Sequence, residues 1–225
     1  MEMKKIILAV LPEKFNKKLK YFNWIRHILF HEKSYLVQTG YLKSFQTFKP
    51  IDKDNSPLPW INYPVIEFLS KRLNKSINIF EYGSGYSTIY FSKLVNKITS
   101  IECDIGWFEK IDSKLNDQSN IELSYIPIDE NYYRAIEEVT PKEHKYGFII
   151  VDGRDRVKCA KLAIKYLTPE GILLLDDSGR KRYSAVFRFY TQNGFRELTI
   201  SGMKPNGLGI FHTTLFYRPN NIFDI

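Results

Sequence analysis

An acidic residue two positions before the first of two glycines is the most informative chemical feature of this 225-residue sequence. It lies in the segment Glu81-Tyr82-Gly83-Ser84-Gly85-Tyr86-Ser87-Thr88, between an apolar run at 77–80 and a helix-like run at 89–95. Glycines in a turn between a strand and a helix let the backbone come close to a nucleotide-like ligand. The carboxylate of Glu81 disfavours a pyrophosphate there and favours a cationic group, such as the amino group of a methionine moiety.

A dinucleotide-binding turn would carry a third glycine at the position of Thr88. The segment instead resembles the acid-x-Gly-x-Gly loop of S-adenosylmethionine-dependent methyltransferases. This resemblance implies that S-adenosylmethionine (SAM) is bound by the turn, through Glu81, Tyr82, Gly83, Ser84, Gly85 and Ser87. The alternative is a plain tight turn between a strand and a helix.

A second acid follows at the distance that the resemblance implies. The run Lys97–Glu102 is typical of a short strand, and Glu102 stands 17 residues beyond Gly85. A carboxylate at the tip of the strand beside the glycine turn can accept hydrogen bonds from both ribose hydroxyls. We therefore predict that Glu102 binds the cofactor ribose, the alternative being a solvated acid at a strand end.

Further acids follow two apolar runs that are typical of buried strands. Asp152 comes directly after 146–151, and Asp176 and Asp177 come directly after 172–175. Methyl transfer from a sulfonium mainly requires that donor and acceptor be aligned, and a hydroxyl acceptor must also lose its proton. We predict that Asp152 and Asp177 are catalytic and that Asp152 also contacts the cofactor.

This acidic cluster also resembles that of metal-dependent O-methyltransferases of the catechol and macrolide-sugar types, in which such acids hold a divalent cation. The catechol type has Asn where Asp177 stands, and Arg154 and Arg156 add positive charge. We therefore predict no metal ligands, with a divalent cation as the alternative. Without a metal, the arginines would recognise an acidic or phosphorylated acceptor. A charge-paired, solvated strand end is the remaining alternative.

Strand-like and helix-like segments alternate along the rest of the chain. A third strand is predicted at 121–126, a helix through 157–167, a turn at 168–171 and a helix at 184–193. Two final strands, 196–200 and 209–217, are predicted to be antiparallel because the link between them is too short for a crossover helix. The methyltransferase resemblance covers about 57–217. It implies an α/β, Rossmann-like doubly wound sheet of seven strands, mostly parallel, with a C-terminal antiparallel hairpin and an N-terminal helical segment.

The first 56 residues differ in composition from the rest. Residues 1–49 contain ten Lys or Arg and three acids, and a turn-rich stretch at 50–59 follows. Apolar residues recur at helical spacing from Phe15 to Leu29. We predict a basic helical segment, 1–56, and a methyltransferase domain, 57–225. The segment would be a lid, or would dock on an anionic membrane surface or a partner protein.

Composition is that of an ordinary globular protein, with 44% hydrophobic and 26% charged residues. No apolar run is long enough for a membrane-spanning helix. Cys103 and Cys159 do not form a framework of close pairs, so we expect reduced thiols and a cytoplasmic location.

The predicted function is methyl transfer from SAM to a small-molecule or glycan acceptor, at a hydroxyl group. A nicotinamide-dependent oxidoreductase is an alternative, which Glu81, Thr88 and the terminal hairpin disfavour. A nucleic-acid-binding protein that uses the basic N-terminal segment is another. Its Lys and Arg residues do not follow a recognition-helix or strand-platform pattern, so nucleic acid is not the predicted partner.

Overall fold

A computed structural model describes residues 13–115 and 118–225, with side chains described from residue 17 onward. The chain divides into two compact units between Ser56 and Pro57. Within the described part of the first unit there are three helices, and none of its residues belongs to a strand of the sheet described below. They are α1 (Glu13–Phe30), α2 (Tyr35–Gln38) and α3 (Tyr41–Thr47).

Helix α1 presents large aromatic side chains to solvent. Phe22, Trp24 and Phe30 are 65%, 61% and 68% exposed. Within the described ranges, no helix combines the length and apolar character that crossing a bilayer requires.

The second unit is built on one seven-stranded sheet. The strands are β1 (Asn78–Tyr82), β2 (Lys97–Glu102), β3 (Ile121–Tyr125), β4 (Tyr146–Val151), β5 (Leu167–Leu175), β6 (Arg196–Gly202) and β7 (Phe211–Tyr217). Their order is β3-β2-β1-β4-β5-β7-β6. The first five are mutually parallel, whereas β7 pairs antiparallel with both β5 and β6. The predicted fold class is therefore confirmed.

Six α-helices accompany the strands in the described part of this unit. They are α4 (Tyr63–Ser70), α5 (Tyr86–Ser92), α6 (Ile105–Asp112), α7 (Ala135–Val139), α8 (Arg156–Ala163) and α9 (Ser184–Gln192). Single 3₁₀ turns cover Tyr132–Arg134, Ile164–Tyr166 and Lys181–Tyr183. The helix predicted through 157–167 thus ends its α-helical part at Ala163.

The centre of the sheet is apolar because its strands are covered on both faces. In β4, Phe148, Ile149 and Val151 are fully buried, as are Leu173 and Leu175 in β5. Continuous apolar runs of this kind are typical of parallel strands with helices on both sides. The same burial holds the strand tips rigidly, and these tips carry the acids of interest.

The turn predicted at 168–171 lies inside β5. Tyr146 pairs with Leu167 and Phe148 pairs with Ile172. Between these two pairs, β5 therefore advances by five residues while β4 advances by two. The extra residues leave the ladder because Pro169 has no N–H to donate to it. The predicted break at 168–171 is confirmed as a local irregularity. The predicted start of the strand at residue 172 is wrong, because β5 begins at Leu167.

Candidate functional site

The glycine turn, the tip of β2 and the tip of β4 meet at one edge of the sheet. The amide of Gly83 donates to the Ile101 carbonyl at 3.0 Å, and the amide of Asp152 donates to the Tyr82 carbonyl at 3.0 Å. Ligands of open α/β sheets bind beyond the carboxyl ends of the strands, where the strand order reverses. Here β1 is the strand at which the order reverses, with β2 on one side and β4 on the other.

Gly83 brings two loops together. Its φ of +92° lies in the region that favours glycine, and a Cβ atom there would lie 2.8 Å from the backbone of Gly153. Gly85 has a different role, since a Cβ atom there would meet nothing nearer than 3.8 Å. A Cβ atom at Gly85 would therefore make only ordinary van der Waals contacts, with Ser87 and Trp107, so packing against neighbours does not require a glycine there.

Glu81 is fully buried beneath this turn. Its carboxylate accepts hydrogen bonds from the hydroxyls of Ser87 (2.5 Å), Thr88 (2.5 Å) and Ser100 (2.8 Å). Burial raises the pKa of Glu81 to about 7, although the three hydroxyls oppose the rise. The geometry thus gives Glu81 a part in holding the turn, and its predicted contact with the cofactor stays a prediction.

Thr88, at the position of the missing third glycine, joins the turn to Glu81. Besides bonding Glu81, its hydroxyl accepts the amide of Gly85 at 3.0 Å. The Ser87 hydroxyl is taken up by Glu81, and the buried Tyr82 donates its hydroxyl to the Tyr133 carbonyl at 2.9 Å. The sequence does contain a signal for this hydrogen-bond network: hydroxyl residues lie close to an acid at a glycine turn.

Glu102 ties the tip of β2 to the turn. One carboxylate oxygen accepts the amide and the hydroxyl of Ser84, at 3.1 and 3.3 Å. The other accepts the amides of Cys103 and Asp104, at 2.7 and 2.9 Å. Trp107 also binds the turn, because its indole N–H donates to the Ser84 carbonyl at 2.9 Å. Trp107 was not among the predicted site residues.

The tips of β4 and β5 are linked by a cation. Arg156 binds the carboxylate of Asp152 at 2.7 Å and donates to the main-chain carbonyl of Asp176 at 2.6 Å. The carboxylate of Asp176 accepts the Thr213 hydroxyl from β7 at 2.7 Å. Three strands therefore contribute to one polar cluster.

Asp177 lies at the edge of the same cluster. Its carboxylate pairs with Lys204, at 3.1 Å, and with Arg180. Its φ of +52° is in the left-handed region, which Asp tolerates better than most residues. Lys204 comes from the connection between β6 and β7, and it was not identified from the sequence because only the folded hairpin brings it here.

The two predicted catalytic acids differ in electrostatic environment. Burial and the neighbouring Asp176 raise the pKa of Asp152, and Arg156 only partly offsets them. Burial also acts to raise the pKa of Asp177, but Lys204, Arg156 and Arg180 outweigh it and hold that pKa below its usual value. The pKa values of the two acids are thus shifted in opposite directions.

A divalent metal does not fit this arrangement. Lys204 and Arg180 contact both carboxylate oxygens of Asp177, Arg156 contacts one oxygen of Asp152, and the Thr213 hydroxyl contacts one oxygen of Asp176, so cations and a donor already surround the acids. Across residues 13–115 and 118–225, no three His, Cys, Asp or Glu residues are grouped as metal ligands.

Solved structures share this architecture. The O-methyltransferase TomG from Streptomyces achromogenes, involved in tomaymycin synthesis and solved with SAM, aligns with a TM-score of 0.56 and 16% identity, covering 81% of this chain and 89% of its own. Precorrin-6y C5,15-methyltransferase from Geobacter metallireducens aligns at 0.54 and 12%, over 68% and 85% of the two chains. An rRNA methylase from Streptococcus thermophilus aligns at 0.51 and 14%, over 68% and 93%.

No protein-family model and no curated protein matches the chain. With identities of at most 16% in these three structures, the comparisons establish the fold. The resemblance drawn from the glycine turn is confirmed at that level. The substrates named for two of these structures, precorrin-6y and rRNA, are chemically unrelated, so they do not define an acceptor for this chain.

Proposed function

We propose that this protein is a SAM-dependent methyltransferase that acts on a hydroxyl group of a small-molecule or glycan acceptor. The observation that carries the proposal is the meeting of the glycine turn, Glu102 and the Asp152 cluster at one sheet edge. The shared fold supports it, because methyltransferases with different names and substrates align with this chain.

The residues at this edge fit the chemistry of the cofactor. SAM, when bound, supplies an electrophilic methyl group on a sulfonium. In this proposal the backbone at Gly83, Ser84 and Gly85 lies along the cofactor and Glu102 accepts the ribose hydroxyls. Its contact with the Ser84 hydroxyl, at 3.3 Å the longest of its four hydrogen bonds, is the one that ribose would replace.

Asp152 and Asp177 have separate roles in the proposal. Asp152 accepts the proton of the acceptor hydroxyl, since its raised pKa brings it closer to working pH. Asp177 is held between Lys204 and Arg180 and orients the acceptor as a fixed negative charge. Both lie on strand tips that a buried sheet keeps in place.

The N-terminal segment is proposed to serve as a lid or docking element and not as part of the catalytic body. Its exposed aromatic side chains, Phe22, Trp24 and Phe30, support a surface that meets another molecule. Lys17, Lys18 and Lys20, which precede them on the same helix, and Arg26 would favour an anionic membrane or an acidic protein surface.

Calorimetry with the full-length protein tests the proposal. SAM and S-adenosylhomocysteine (SAH) should bind, whereas NAD and NADP should not. Radiolabelled methyl transfer to a panel of sugars and phenols would then identify the acceptor class. Binding of a nicotinamide cofactor without SAH binding would replace the proposal by an oxidoreductase.

A further inference from the structure

An arginine-rich cavity opens beside the tips of β4 and β5. It has a volume of about 340 Å³ and is lined by residues 153–157 together with Arg180, Arg182 and Tyr183. This volume lies at the lower end of the range of small-ligand sites, roughly 300–1,000 Å³. Arg156 lines the cavity and also binds Asp152, so the cavity adjoins the proposed catalytic group.

The charges around the cavity do not balance. Four arginines line it, of which Arg156 is paired with Asp152 and Arg180 with Asp177. The one lining carboxylate, Asp155, is paired with Lys158 outside the cavity at 3.0 Å. The lining therefore has an excess of positive charge.

Two of these arginines have no acidic partner among the residues that the structure describes. Neither Arg154 nor Arg182 is paired with a carboxylate of the described chain. Arg182 donates to the Tyr183 hydroxyl at 3.0 Å and lies over that ring, with 5.0 Å between guanidinium carbon and ring centroid. A neutral hydroxyl and an aromatic ring orient the guanidinium without neutralising it.

Two uncompensated guanidinium groups on one concave surface are complementary to an anion. Guanidinium binds phosphate and carboxylate through paired, charge-assisted hydrogen bonds. We propose that this cavity binds an anionic group, phosphate or carboxylate, of the acceptor, and so selects an acidic small molecule. The inference rests on the proposed function, because it places the acceptor's reacting hydroxyl near Asp152.

Binding of inorganic phosphate and of succinate, measured by calorimetry at constant ionic strength, tests the inference and distinguishes the two kinds of anion. Arg154→Gln and Arg182→Gln should each weaken the preferred anion about tenfold or more, as expected for a lost hydrogen bond to a charged group. Arg188→Gln is the matched control: Arg188 is an exposed arginine of α9 that does not line the cavity. Its anion affinity should equal that of the unmodified protein.

SAH binding measured in the same variants separates this inference from the proposed function. We expect SAH affinity to be unchanged in all three variants. If neither anion binds, or if Arg188→Gln weakens binding as much as the cavity variants, the anion site is wrong even where SAH binds. If SAH does not bind but the anion binds through Arg154 and Arg182, the proposed function is wrong and the anion site stands.

A binding measurement with an oligonucleotide tests whether the cavity prefers a macromolecular anion. A single-stranded RNA that bound far more tightly than phosphate, with a steep salt dependence, would overturn the small acidic acceptor in favour of a nucleic acid. Equal or weaker binding of the RNA supports the inference.

Discussion

Arg156 binds the carboxylate of Asp152 at 2.7 Å from the first turn of the helix that follows β4. The arginine side chain is 11% exposed and the aspartate side chain 28%, so the pair is partly shielded from water. Because the same guanidinium also bonds the Asp176 carbonyl, one residue sets the spacing of two strand tips. The orientation of the proposed proton acceptor therefore depends on Arg156.

Asp152→Asn should reduce methyl transfer by about 10²-fold or more, the usual scale for lost acid–base assistance. The unmodified enzyme should become faster as pH rises through the raised pKa of Asp152, because only the ionised carboxylate accepts a proton. The variant should lack that rise. Rates measured across pH with a labelled cofactor check both points, and full activity in the variant would place the base elsewhere.

Asp177→Asn should also reduce methyl transfer by about 10²-fold, because the acceptor loses an orienting charge. Its effect on SAH affinity should be smaller than that of Asp152→Asn. The reason is that β4, and not β5, pairs with β1 and brings its tip against the glycine turn. Calorimetry on both variants compares the two losses, and a larger loss of SAH affinity at Asp177 would contradict this assignment.

Activity should be unchanged by a chelator, since Arg156 and Lys204 occupy the carboxylates that a divalent cation would need. The measurement is methyl transfer before and after dialysis against EDTA. Activity that is lost and then restored by Mg²⁺ would show that the metal alternative is correct.

Glu102→Ala should weaken SAM binding by about 1.5–3 kcal/mol, the value of hydrogen bonds to a charged group. Glu122→Gln, on the neighbouring strand β3, is a control that removes a carboxylate outside the turn. Thermal unfolding of both variants would show whether the loss of contacts to Ser84 disturbs the turn itself. Unchanged SAM affinity in the alanine variant would exclude the ribose role.

Glu81→Gln should change how stability depends on pH. The pKa of Glu81 is raised from 4.5 to about 7 in the folded protein, so between these values the folded state holds a proton that the unfolded chain has released. Stability should therefore fall as pH rises through this interval, by roughly 3 kcal/mol from this group. The variant, which has no such proton, should lose less stability than the unmodified protein in urea titrations between about pH 5 and pH 8. Parallel curves for the two proteins would contradict the buried acid.

Deleting residues 1–49 should leave a folded body that binds SAH. All seven strands lie between Asn78 and Tyr217, so the sheet and its turn do not draw on the deleted residues. Thermal unfolding and SAH calorimetry of the truncated chain are the measurements. A chain that no longer folds would show that this segment belongs to the core.

The sequence alone was enough for the elements whose pattern is local. The apolar run of β4, the acid at the end of β2 and the glycine turn each depend on near neighbours, and β2 and β4 have the predicted bounds. The segment around Pro169 was misplaced because a strand can contain a bulge whose presence depends on its partner.

The tertiary structure decided the electrostatic environment of each acid. In the sequence Glu81 is an acid beside a glycine turn, and only the fold shows that the hydroxyls of Ser87, Thr88 and Ser100, from two elements, enclose its carboxylate. Asp177 resembles Asp152 in sequence, yet Lys204, 27 positions later, reverses the direction of its pKa shift. The sequence determines the identity of each side chain and the strand at whose end it lies. Burial and the approach of distant charges arise only on folding, and these set what each carboxylate can do.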